Sequence, residues 1–430
     1  MLREFIKKLK LSKKLILIKK PVSKRFVAAG ILKQLDGKPV LFEKVKESKF
    51  MVIGNVFSSR ELIAESLGVP KEKLLLRIAH AIDNPSEPVL VEKAPCQEVE
   101  EEVDLNKLPI LTHCERDGGP YITSGVVVAK DEELGRNCSF HRLMQLDRRR
   151  FVMRILPRHL NEFIKRNGGE LDVAVCIGNS ANFLLAAATS VELGFDEMKI
   201  ANSLEKLPIV RCKTVDVEVP AHSELVLEGR ITKELAPEGP FVDLTETYDV
   251  VREQPVLEIK KITHRKDAFY HALLPGGNEH KLLMGMPREP TIFREVNKVC
   301  ECKDVSLTLG GCSWLHAVVK IKKKNEEDGR KAIEAAFRGH SSLKHVVVVD
   351  DDIDIHNPLE VEWAVATRFQ AKDGLVVKKH EKGSSLDPSA NPFTRETSKM
   401  GVDATAPLKK KLKEFKKAKF PKVKLGRYLR

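Results

Sequence analysis

The chain begins with hydrophobic patterns that alternate between extended and helical periods. "KFMVIGNVF" (49–57) is a short apolar run of strand length. "SRELIAESLGV" (59–69) spaces its apolar residues helically and stops at Gly68 before Pro70; "KEKLLLRIAHAI" (71–82) predicts a second helix. This order indicates an α/β unit over residues 1–110. Beyond it the texture becomes strand-rich: "YITSGVVVAKD", "RFVMRIL", "LDVAVCIG", "KTVDVEVP", "SELVLEGRI" and "PVLEIKKITHR" follow one another with turn residues between them. Such spacing predicts an antiparallel barrel or sandwich over 111–299. Two helices interrupt it, the small-residue "SANFLLAAATSVEL" and "DEMKIANSLEK" with Asp196 as N-cap. From residue 300, "SLTLGG", "HAVVKIKK", "DGRKAIEAAFRG" and "LKHVVVVDDDI" read strand, strand, helix, strand, a second α/β unit over 300–430 that ends in a basic tail.

Composition narrows the class. With 430 residues, 42% of them hydrophobic, the chain suits several globular domains, and it has no apolar run near the length of a membrane span. Its basic start contains only "LILI" as a solid apolar block, too short for a signal-peptide core, so a cytoplasmic protein is expected. Cysteines 96, 114, 138, 176, 212, 300, 302 and 312 show no zinc-finger pairing and no disulfide framework, which implies reduced thiols. The net charge of +13 invites a nucleic-acid reading, but aromatics are only 6% and no nucleic-acid-binding signature is present. Lys/Glu-rich surfaces of this kind also occur in heat-adapted proteins.

Candidate chemistry gathers in the middle third. "LAPEGPFVDLTETYD" (235–249) sets Glu238 and Asp243 around a Gly-Pro-Phe kink, with Glu246 and Asp249 beyond; alone it passes for a polar turn. "GRNCSFHR" holds Asn137 and Arg142 on either side of an extended segment. "RILPRHL" adds Arg154, Arg158 and His159, and "FDEMKIAN" adds Glu197. An Asn carbonyl, an imidazole and a carboxylate form a hard, oxygen-leaning set suited to magnesium or manganese. Arginines beside them suit a phosphate-bearing cofactor. No phosphate loop or dinucleotide fingerprint is present, since "LPGGNEH" lacks the Lys-Ser/Thr and "TLGGCSW" shows no paired base. The "DDD" at 350–352 reads as a solvated loop or N-cap more readily than as a metal site.

Taken in order, "APCQEVEEEVDLNKLPILTHCERDGGPYITSGVVVAKD", "GRNCSFHR", "VPAHSELVLEGRI", "APEGPFVD", "VVVVDDDIDIHNPLEVEWAVATR" and "SKMGVDAT" resemble the UbiD-type decarboxylases from about residue 50 to about 406. The resemblance implies an α/β (α+β) chain whose central domain is a split β-barrel of flavin-reductase type. It implies a non-oxidative carboxy-lyase using prenylated FMN, whose phosphate meets manganese or magnesium with potassium nearby. The metal ligands would be Asn137, Glu197 and His159. Phe140, His141, Arg142, Arg154, Ile155, Leu156, Arg158 and His159 would line the cofactor. Asp243 would donate a proton to carbon after carbon dioxide leaves, with Glu238 and Arg142 setting its position and charge.

The chain departs from the family pattern where "ETYD" replaces an aromatic run after the second acid and "NSA" follows "IG". These departures speak against an aromatic-acid substrate. The "GPFVDLTETYD" loop is similar to that of the archaeal branch acting on anhydromevalonate phosphate in isoprenoid synthesis, which forms isopentenyl phosphate. For that phosphorylated unsaturated acid, Arg158, His141, Lys281 and Arg288 are the candidate phosphate holders. A polyprenyl-hydroxybenzoate or another aromatic acid is the alternative substrate, and a cofactor-binding scaffold the non-enzymatic one. The resemblance also implies a separate flavin prenyltransferase and a dimeric or hexameric assembly.

Overall fold

The computed structural model describes residues 1–409, 412–415, 417, 418 and 420–428. The remaining residues of the expected basic tail lie outside the described residues. The predicted helices form where their caps permit. Ser59 accepts a hydrogen bond from the Leu62 N–H and opens Arg60–Ser66; Leu67 and Gly68 close it, with Gly68 at φ +67°. "KEKLLLRIAHAI" is a 3₁₀ turn over Lys71–Lys73 leading into the helix Leu74–Asp83, whose apolar face is buried.

The N-terminal sheet has four strands in the order Ile16–Ile18, Val40–Phe42, Met51–Gly54, Phe269–His271. Its last member comes from far along the chain and pairs parallel to Met51–Gly54. Conversely, Val89–Leu90 pairs with Pro208–Arg211, and Val99–Glu101 pairs with Arg252–His264. The N-terminal and central regions are thus stitched together by strands exchanged in both directions.

The central sheet has nine strands. Along it run Tyr121–Ile122, Leu143–Gln145, Arg150–Met153, Arg252–His264, Leu225–Glu238, Leu171–Ile177, Val126–Asp131 and Gly135–Phe140, with every neighbouring pair antiparallel. "YITSGVVVAKD" becomes two strands at different places in this sheet. Between them Ser124 Oγ donates to the His271 carbonyl at 2.6 Å, tying the break to the N-terminal sheet. "SELVLEGRI" extends to the fourteen-residue strand Leu225–Glu238, whose register shifts between Ile231 and Leu235. Its polar second half carries no strand pattern, yet it delivers Glu238 at the strand end.

Both faces of the central sheet feed large apolar clusters, which explains its Val/Ile-rich runs. The last sheet orders Glu301–Leu307, His316–Lys322, His345–Asp350, Glu396–Ala404 and Leu375–Lys382, with parallel pairs at its centre. Here "DDD" leaves the strand His345–Asp350 for an exposed turn, Asp350 being buried and Asp351 and Asp352 exposed, and Arg368 ties its first and last acids together. Asp350 accepts from Arg368 Nη1 at 2.6 Å, and Asp352 takes both terminal nitrogens at 2.8 and 2.9 Å. All eight cysteines are unpaired, and no helix among the described residues is long and apolar enough to cross a membrane.

Candidate active site

Alternation along Gly135–Phe140 builds the first wall. Cys138 is buried in the core, while Asn137 and Ser139 take the opposite face. Ser139 Oγ lies 3.3 Å from Asn137 Oδ1 and 3.0 Å from His141 Nε2. The other ring nitrogen of His141 meets the Arg154 carbonyl at 2.9 Å, and burial pulls its pKa down to about 4.

Where the chain turns back, Arg142 becomes the hub of an acidic cluster. Its Nε and Nη2 donate to the two oxygens of Glu238, each at 2.9 Å. Nη1 donates to Asp243 Oδ2 and Nη2 to Asp249 Oδ2, both also at 2.9 Å. The guanidinium lies over the Phe241 ring, 5.2 Å from its centroid. Burial opposes the charge, but the hydrogen bonds and charge of Glu238, with Asp243 and Asp249, outweigh it and raise the Arg142 pKa.

The three acids converge because Glu238 ends a long strand and Phe241–Val242 pairs with Tyr248–Asp249, placing Phe241 opposite Asp249. Glu238 is fully buried and also accepts from Tyr121 Oη at 3.2 Å. Asp243 Oδ1 accepts the Leu244 N–H at 2.6 Å.

The acidic turn is braced from outside. Gly118 donates its N–H to the Pro240 carbonyl at 2.8 Å, and a Cβ on Gly118 would stand 2.2 Å from the Gly239 oxygen. Gly118→Ala must therefore push the backbone between Glu238 and Asp243. Sub-ångström to ångström misplacement of a catalytic group costs up to about a hundredfold in rate. We expect Gly118→Ala to lower kcat on that scale with an unchanged circular dichroism spectrum; wild-type kcat would show that the brace is immaterial.

At a second place Asn137, Glu197 and His159 come together. Asn137 Nδ2 donates to Glu197 Oε1 at 2.9 Å, the Cys138 N–H donates to Oε2 at 2.8 Å, and His159 Nδ1 lies 4.0 Å from Oε1. Glu197 and His159 each begin a helix, Glu197–Leu204 and His159–Arg166. Asp196 caps the first by accepting from the Met198 N–H at 2.9 Å, and Arg136 holds Asp196 at 2.6 Å. Burial pushes the Glu197 carboxyl up to about 8, and its hydrogen bonds only partly offset this. Burial and Arg158 hold His159 below the usual imidazole range. Among the described residues no Lys or Arg lies within 4.0 Å of Glu197. A buried carboxylate without a cation, beside a neutral imidazole and an amide, fits a hard divalent ion.

Both clusters border one cavity of about 670 Å³, a size suited to a cofactor with a small substrate. Phe140, His141, Arg142, Arg154, Leu156, Arg158 and His159 line it. Ile155 does not: its side chain packs in the core and its N–H donates to Gln254 Oε1 at 2.7 Å. Of the three acids on Arg142, only Asp243 lines the cavity.

Residues outside the expected set also belong here. Asp249 stood within the acidic stretch, but only strand pairing brings it to Arg142. His280 borders the cavity and accepts the Gly276 N–H at Nδ1, 3.1 Å away, which places its proton on Nε2. Trp314, Ser341, Ser384 and Arg395 close the cavity from the C-terminal sheet region, and no local pattern marks them.

Residues 6–82, 88–278 and 281–404 match, in turn, the N-terminal, Rift-related and C-terminal domains of 3-octaprenyl-4-hydroxybenzoate carboxy-lyase, the three UbiD domains. The chain is 46% identical over 407 residues to an anhydromevalonate phosphate decarboxylase of Methanothermobacter thermautotrophicus, covering 93% of this chain and 96% of that protein. Its structure is similar to that of the UbiD-class enzyme HmfF from Pelotomaculum thermopropionicum in complex with FMN. That likeness has a TM-score of 0.96, 41% identity and full coverage of both chains. An evolved dimeric form of HmfF in complex with prFMN gives a TM-score of 0.91 at 40% identity, covering 100% of this chain and 99% of that one. The three domain matches span nearly the whole described chain, and the chain belongs to the UbiD family.

Proposed function

We propose that the protein is a prenylated-FMN-dependent carboxy-lyase that converts trans-anhydromevalonate 5-phosphate to isopentenyl phosphate and carbon dioxide. The substrate rests on the near full-length similarity to the Methanothermobacter thermautotrophicus decarboxylase and on the acidic loop. The single observation that carries the chemistry is that Asp243, alone among the acids gripping Arg142, borders the cavity. A proton donor must reach the reacting carbon, whereas groups that set its position are better sealed behind it.

Arg142 spends four of its five N–H donors on the three carboxylates, which leaves one for a substrate carboxylate at the cavity wall. Its planar fork is immobilised by those bonds, so a bound carboxylate meets a fixed donor. Asp243 then gives a proton to the carbon that carried the carboxylate, and Glu238, itself bound by Tyr121 Oη, holds Arg142 from behind. Prenylated FMN, when bound, supplies the electron sink that no side chain provides. Asn137, Glu197 and His159 would hold manganese or magnesium for its phosphate. In this reading residues 111–299 carry the site as a split barrel between 1–110 and 300–430, the protein works as a cytoplasmic homo-oligomer, and a prenyltransferase furnishes the flavin.

The test is to assay flavin-loaded enzyme in deuterated water against the phosphorylated enoate and against 4-hydroxybenzoates. We expect turnover of the enoate, with one deuterium on the terminal methylene of isopentenyl phosphate. Turnover of hydroxybenzoates alone would replace the substrate assigned here.

A further inference from the structure

Four basic residues were candidates for holding a substrate phosphate, and the structure separates them. His141 has both ring nitrogens engaged and is neutral at pH 7. Lys281 is bound to Glu246 at 2.5 Å and does not line the cavity. Arg158 and Arg288 both line it, and neither has a carboxylate within 4.0 Å among the described residues.

Arg288 is the more unusual. It follows the helix Asn278–Gly285 in a 3₁₀ turn, and its guanidinium lies 5.4 Å from the Trp314 ring centroid. Trp314 is itself fixed, donating Nε1–H to Ser384 Oγ at 3.1 Å and meeting His340 edge-on at 4.6 Å. Arg288 Nε is buried with no acceptor, and no side-chain nitrogen of Arg288 has a partner among the described residues. Burial and the nearby Arg158 lower its pKa to about 10, so it remains a cation at neutral pH.

A desolvated guanidinium without an anion is costly. Two carboxylates line the cavity, and neither serves Arg288: Asp243 is bound to Arg142, and Glu197 accepts from Asn137 Nδ2 and the Cys138 N–H. Lys382 and Arg395 border the same cavity, also without a carboxylate within 4.0 Å among the described residues. One cofactor phosphate neutralised by a divalent ion at Asn137, Glu197 and His159 does not account for these charges.

The geometry points to Arg288, stacked on Trp314 and seconded by Arg158, as the subsite for a second phosphate, the one carried by the substrate. A guanidinium fork matches phosphate oxygens two at a time, which a Lys ammonium does not. Placing this group far from Asp243 in sequence, on a wall shared with the C-terminal region, separates recognition of the phosphate from proton transfer. This inference rests on the function proposed above, and it assigns to one residue the discrimination between phosphorylated and plain enoates.

The test compares wild type with Arg288→Gln in flavin-loaded enzyme. We expect kcat/KM for the phosphorylated enoate, relative to its dephosphorylated counterpart, to fall about a hundredfold, equivalent to about 2.8 kcal/mol, mainly through KM. Calorimetric titration with ethyl phosphate should show binding to wild type that the variant loses, while flavin absorbance per protein stays equal. Equal ethyl phosphate binding by both proteins overturns the subsite, and loss of flavin with the variant assigns Arg288 to the cofactor phosphate instead. If wild type ignores the enoate yet binds ethyl phosphate through Arg288, the proposed substrate fails and the subsite stands. Should Arg288→Gln not fold, Arg288→Lys makes the same comparison. Raised KM and weakened ethyl phosphate binding at unchanged flavin content support the subsite, and wild-type values for both overturn it.

Discussion

Asp243→Asn is expected to retain flavin and metal while losing product formation. The amide preserves size, and its oxygen can still accept from Arg142 Nη1, where the carboxylate now sits 2.9 Å away. The rest of the hub, Glu238 and Asp249, keeps Arg142 in place without it. What the variant lacks is a proton that can leave and return. Loss of a positioned general acid costs about 10²–10⁴ in rate. Single-turnover analysis with the phosphorylated enoate in deuterated water should therefore show little isopentenyl phosphate, at unchanged flavin absorbance and metal content. Steady turnover with the same deuterium label would show that another acid delivers the proton, and His280, which carries its proton on Nε2 at the same cavity, would be the group to examine next.

Arg142→Lys should be as damaging, for a different reason. The guanidinium donates four hydrogen bonds to three acids that approach from two strands and a turn. An ammonium has three donors around one nitrogen and cannot span them at once. Glu238 has no exposed surface, so any bond lost there leaves a buried carboxylate with only Tyr121 Oη to serve it. Breaking a buried pair outright costs about 3–5 kcal/mol, and a retained charge recovers only part of that. We expect a lower Tm together with a fall in kcat of at least about a hundredfold from the misplaced acid. A Lys variant with wild-type Tm and kcat would remove Arg142 from both roles.

The site was legible to the extent that its residues lie in short motifs. Asn137 lies within one strand with Arg142 just past its end, and Glu238 and Asp243 flank one turn, so local spacing kept each pair together. Asp249 was visible as a letter but had no role, because its place depends on pairing between Phe241–Val242 and Tyr248–Asp249. Ile155 went the other way. It sits between two cavity-lining residues, and the alternation of an extended segment turns its side chain into the core.

For the fold, the sequence by itself determined the elements with a clear period: the capped helix Arg60–Ser66, the helix Asp328–Gly339 and the valine-rich strands Val126–Asp131 and His345–Asp350. Caps and periodicity act within a few residues, so a window of the chain contains their cause. The tertiary structure alone decided where these elements pair. Phe269–His271 joins the N-terminal sheet beside Met51–Gly54, and the polar half of Leu225–Glu238 becomes strand because Arg252–His264 supplies its hydrogen bonds. It also decided that Arg288 and Trp314 face a cavity whose acid, Asp243, lies just past the short strand Phe241–Val242. Strand partners and buried charges are set by backbone hydrogen bonding and desolvation between segments remote in sequence, and neither leaves a local period to read.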